Sequence, residues 1–74
     1  MADFKFEIEK HIGEIQKYEN NWTKELNIVK WGDYPAKYDI RDWNPDHTRM
    51  KKGVTFTEEE LVNLKDILND MAIE

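Results

Sequence analysis

The residues with the most chemical content lie between positions 36 and 43. Side chains of an extended strand alternate between faces. Ala36, Tyr38 and Ile40 therefore point one way, and Lys37, Asp39, Arg41 and Trp43 the other. Trp22 and Lys24 belong to the preceding strand, Trp31 lies at its far end, and Lys51 follows a polar loop. Interleaved cations and flat aromatic rings suit an unpaired polynucleotide, because cations track phosphates while rings stack bases without regard to sequence. Each stack contributes about 1–3 kcal/mol, more than one screened surface contact. The competing reading places each tryptophan in the core and each lysine on an ordinary solvated surface. Arg49, Lys51 and Lys52 are equally readable as phosphate contacts at a rim or as a solvated turn.

Other chemistry fails on spacing. Asp42-Trp43-Asn44-Pro45-Asp46 imitates the start of a calcium loop, but the sixth and twelfth positions are His47 and Gly53, where Gly and Glu are needed. His11 and His47 lack the spacing of a zinc site. Asp39 and Asp42 point to opposite faces of one strand, which argues against paired acid–base work. The three glycines form no phosphate-cradling loop, and serine and cysteine are absent. No catalytic residue, metal or cofactor is expected, and the chain does not read as an enzyme.

These side chains need a scaffold. Phe4, Phe6, Ile8 and Ile12 share one parity, and Gly13 interrupts a first strand over about 4–17. Tyr18-Glu19-Asn20-Asn21 is a turn signal. The second strand, about 22–32, alternates imperfectly: Leu26 and Ile28 share the parity of Trp22 and Lys24, while Val29 and Trp31 take the other. A bulge between Asn27 and Val29 would reconcile its halves. Gly32-Asp33-Tyr34-Pro35 is a hairpin connection to the third strand, about 36–43. Asn44-Pro45-Asp46-His47 ends that strand, and a fourth runs over about 51–56. Thr57 and Glu60 form a capping box, with Phe56 and Leu61 as its hydrophobic staple. Leu61, Leu64, Leu68 and Met71 continue an amphipathic helix over about 57–72. The expected class is α+β: a curved four-stranded antiparallel sheet followed by one C-terminal helix, in a single domain over 1–74.

Charge is unevenly spread. The net charge is −5, which taken whole disfavours a polyanionic partner. Residues 57–74 carry six acids and one base, so the excess lies in the last quarter; residues 24–52 carry seven bases and five acids. A 74-residue chain without cysteine buries little surface and needs a partner to cover its helix stripe and sheet edges. A homodimer meets that need. No apolar run reaches the length of a membrane span and the N-terminus does not read as a signal peptide, so a cytoplasmic location is expected. The glycosylation sequon Asn21-Trp22-Thr23 is discounted on the same ground.

Tyr38-Asp39-Ile40-Arg41-Asp42-Trp43, a loop, Lys52-Gly53-Val54-Thr55 and the helix start Thr57-Glu58-Glu59-Glu60-Leu61 together resemble the C-terminal domain of the transcriptional coactivator positive cofactor four. Trp22-Thr23-Lys24-Glu25-Leu26-Asn27 and Asn44-Pro45-Asp46-His47 are similar to its compact bacterial, YdbC-like branch, and the likeness runs from about residue 4 to 71. The resemblance implies an intertwined homodimer that binds single-stranded DNA along the concave sheet with little sequence preference, in transcription regulation, replication or repair. It places the family's strand arginine at Arg41, its hairpin stacking aromatic near Trp31, an earlier basic residue at Lys24 and the loop aromatic at or near Trp43. The lysine-rich hairpin is reduced to Lys37, and the serine-rich tail is missing, so coactivator activity is not implied. Two alternatives stand beside this one: a protein-interaction module docking through the acidic helix, and RNA binding by the same face.

Overall fold

In a computed structural model describing residues 5–73, the chain forms β1 (Phe6–Lys17), β2 (Thr23–Trp31), β3 (Lys37–Trp43), β4 (Val54–Phe56) and α1 (Glu58–Asp70). Phe4, expected to open the first strand, lies outside the described residues. The strands form one antiparallel meander in the order β1-β2-β3-β4. The fourth strand is shorter than expected; Met50 instead makes an isolated bridge to Trp43.

The turns follow from local chemistry. Asn21 (φ 70°) closes the β1–β2 connection and Gly32 (φ 55°) the β2–β3 connection, both in the left-handed region that Asn and Gly tolerate. Thr57 accepts from the Glu60 amide while Glu60 accepts from the Thr57 amide, so the capping box forms as expected. Glu58, Glu59 and Glu60 occupy the positive end of the helix dipole.

The bulge expected in β2 is absent. β2 pairs with β3 in unbroken register from Thr23↔Trp43 to Val29↔Lys37. The irregularities lie in β1, at Ile8/Lys10, His11/Gly13 and Glu14/Gln16. An edge strand absorbs extra residues without disturbing a second neighbour, and each bulge increases its twist and bend. The sheet curls strongly as a result. Trp31 lies eight residues along β2 from Thr23, the partner of Trp43, a span of roughly 26 Å in a flat strand. Yet the two tryptophan rings have centroids 6.5 Å apart and lie 9° from parallel.

One face of this sheet carries Thr23, Glu25, Asn27, Val29, Asp39, Arg41 and Trp43, on its concave side. The other carries Leu26, Ile28, Tyr38 and Ile40 beneath α1. The helix rests lightly on that second face, and none of its residues is buried.

Candidate nucleic-acid interface

The accessible aromatic and cationic side chains form a rim where β2 begins and the segment after residue 50 returns to β3. Trp22 immediately precedes β2 and is half-buried; its amide donates to Asn20 Oδ1 at 3.0 Å and its carbonyl accepts from the Tyr18 amide at 2.8 Å. Lys51 holds its ammonium 5.4 Å from the Trp22 ring centre, within the range of a cation–π contact. The Lys51 amide is tied to the Asp42 carbonyl at 3.0 Å, which fixes the segment against β3. Trp22, Arg41, Arg49, Met50, Lys51 and Lys52 line one recess of about 540 Å³.

The loop that delivers these cations is stiffened internally. Asn44 and Arg49 bond through both backbone and side chain, at 3.1 and 2.8 Å, and Thr48 donates its hydroxyl and amide to Asp46. The Thr48 hydroxyl, then its amide, holds the Asp46 carboxyl below the usual range. Gly53 lets the chain press on β3, since a Cβ there would collide with the Ile40 carbonyl oxygen and the Arg41 Cβ.

Below the rim the concave face is filled. Arg41 makes two 2.7 Å hydrogen bonds to the buried Asp39 carboxylate and lays its guanidinium carbon 4.3 Å from the Trp31 ring centre. Phe6 packs on both Trp31 and Trp43, with centroids 5.7 and 5.3 Å away. Beside them Glu25 accepts from Thr23 Oγ1 (2.6 Å), Asn27 Nδ2 (3.1 Å) and His47 Nε2 (2.9 and 3.1 Å). Burial alone pushes the Glu25 carboxyl up, but the bonds from Thr23, Asn27 and His47 outweigh it and hold the carboxyl below its ordinary value.

The sequence profile of the family described as Transcriptional Coactivator p15 (PC4) matches residues 18–67. That span begins at the Tyr18 turn, includes every rim residue and ends within α1. The chain belongs to the positive cofactor four family. An uncharacterized protein of Treponema pallidum (strain Nichols) is 43% identical over 72 residues, covering 97% of this chain and 85% of that protein.

Against the family expectation, the structure sorts the seven residues singled out from sequence. Trp22, Arg41 and Lys51 converge on the rim recess. Lys37 is exposed on the same face, opposite Val29. Trp31 is half-buried with Arg41 over its ring. Trp43 is on the expected face but has 0% exposure, so it props the site from behind and presents no ring to solvent. Lys24 is on the opposite face because β2 has no bulge; it bonds Asp42 Oδ1 at 2.9 Å, and that bond raises its pKa. Arg49 and Lys52, left undecided by sequence, complete the rim. The Glu25–His47–His11 contacts had no signal in the linear spacing, since they join three separate segments.

Among the described residues no helix is long and apolar enough to cross a membrane, and no group of three or more His, Asp or Glu side chains is placed to hold a metal ion.

Proposed function

We propose that the protein binds single-stranded DNA with little sequence preference, as a homodimer, in the cytoplasm, without catalysing a reaction. The observation that carries this reading is the rim: a tryptophan flanked by an ammonium, in a recess shared with Arg41, Arg49 and Lys52. Trp22 offers the stacking surface, with the exposed part of Trp31 as a second. Lys37, Arg49, Lys51 and Lys52 take phosphates. Arg41 already has a carboxylate partner, so it contributes its flat face and fixed position more than free charge. Family membership supports a nucleic-acid partner and a role connected with transcription.

The opposite face supports the dimer. Leu26, Tyr38 and Ile40 from the sheet and Leu61, Leu64 and Leu68 from α1 border an open apolar cavity of about 470 Å³. Val62, Ile67 and Leu68 remain about half exposed. A second copy laid over this groove covers the stripe that the single chain leaves to water.

The test is a titration of labelled oligo-dT against duplex and matched RNA of equal length. Tight binding of the single strand and much weaker binding of duplex is expected, because paired bases cannot reach Trp22. Equal affinity for duplex would contradict base stacking, and preference for RNA would redirect the assignment to that polymer.

A further inference from the structure

Glu25 is buried and is bonded by the neutral donors of Thr23 and Asn27 and by the His47 imidazole. His47, from the loop at 44–50, donates Nε2–H to both carboxylate oxygens, since a carboxylate only accepts. Its ring also lies 5.6 Å from that of Trp43. His11, from β1, places Nδ1 2.7 Å from Asn27 Oδ1 and 3.4 Å from Glu25 Oε1. Asn27 gives its amide hydrogens to Glu25, so its oxygen accepts from His11 Nδ1–H. Each histidine thus spends one nitrogen on the cluster and keeps the other for a proton. Protonation breaks none of these bonds and places positive charge beside a carboxylate.

Other charges around the cluster are few. From β1, Glu14 stands opposite Glu25 and Lys17 opposite Thr23; from β3, Arg41 stands opposite Glu25 and is already paired with Asp39. Asp46 is in the same loop as His47, occupied by Thr48. The helix packs on the other face. The cluster therefore carries one negative charge when both imidazoles are neutral and one positive charge when both are protonated. It ties together β1, β2 and the loop that leads to Arg49 and Lys51.

We propose that Glu25, His47 and His11 form a proton-sensitive positioning cluster for the nucleic-acid face, which strengthens polyanion binding as the imidazoles take up protons. This rests on the single-strand reading above. Histidine is the side chain suited to such a change between pH 8 and 6. A swing of up to two charges near the phosphate path changes affinity by about three- to ten-fold at surface dielectric.

The experiment is fluorescence anisotropy of labelled oligo-dT, whose bases do not titrate in this range, at pH 8 and pH 6 and fixed ionic strength. Binding about three- to ten-fold tighter at pH 6 is expected for the parent chain. A His11→Gln/His47→Gln double variant keeps an N–H donor at each position and should bind alike at both pH values. Should that variant unfold, His47→Gln alone, checked by circular dichroism, should show a reduced dependence. In the parent chain, NMR titration of the imidazoles should show their midpoints rising when oligo-dT is added, as linkage requires. Binding with no pH dependence, or an equal dependence in a folded variant, would overturn this inference alone. No binding at either pH would overturn the single-strand reading and this inference with it.

Discussion

Arg41 grips Asp39 through two hydrogen bonds of 2.7 Å, with Asp39 fully buried and Arg41 nearly so. The arginine that sequence nominates as a phosphate ligand is therefore also a structural ion pair. Removing one partner of such a pair leaves an uncompensated buried charge, at a cost of about 3 kcal/mol or more. Arg41→Ala should lower stability by that amount in urea denaturation. Arg41→Lys should recover only part of it, since an ammonium cannot reproduce the two-point fork.

Arg49 and Lys52 give the cleaner test of phosphate contact. Both side chains are exposed. Arg49→Ala/Lys52→Ala should weaken oligo-dT binding and make the slope of log affinity against log salt shallower by about 1.4, at roughly 0.7 per phosphate contact. The melting temperature should stay within a degree or two, as is usual for surface substitutions. An unchanged slope would remove these residues from the phosphate path.

Glu25 sets the acid limit of the fold. Its folded carboxyl lies below its ordinary value, so its contribution is fully present above the unfolded value, about 4.3, and is lost as pH falls through the folded one. Denaturant midpoints should therefore drop below about pH 4.3. Glu25→Gln should remove that part of the drop while costing about 2 kcal/mol at neutral pH, because a second amide meets the donors of Thr23, Asn27 and His47.

The β3 alternation and the Thr57–Glu60 box were plain in the sequence because each rests on neighbouring residues. β2 misled for a physical reason. Its burial alternates from Thr23 to Lys30, but the buried positions include Thr23, Glu25 and Asn27, which a hydropathy pattern counts as outward-facing. Their burial depends on bonds to His11 and His47, which lie in other segments. That hidden regularity created the apparent need for a bulge and put Lys24 on the wrong face. The closure over Trp43 was invisible for a related reason: it comes from bulges accumulated along β1, not from any feature of Trp43 itself.

The apolar groove makes its own demand. Leu68 is about half exposed in the single chain, so Leu68→Glu should leave the fold of one copy intact while placing a charge in the proposed dimer contact. Light scattering should give twice the 8.9 kDa chain mass for the parent and a value near one chain for the variant. A monomeric parent would contradict the dimer.

Intrinsic tryptophan fluorescence on addition of oligo-dT at low salt tests the central claim most directly, because Trp22 borders the recess that bases would enter. Quenching that saturates, reverses with salt and is largely lost in Trp22→Ala is expected. Unchanged emission at saturating oligo-dT and low salt would contradict stacking at this rim, and with it the assignment of the face.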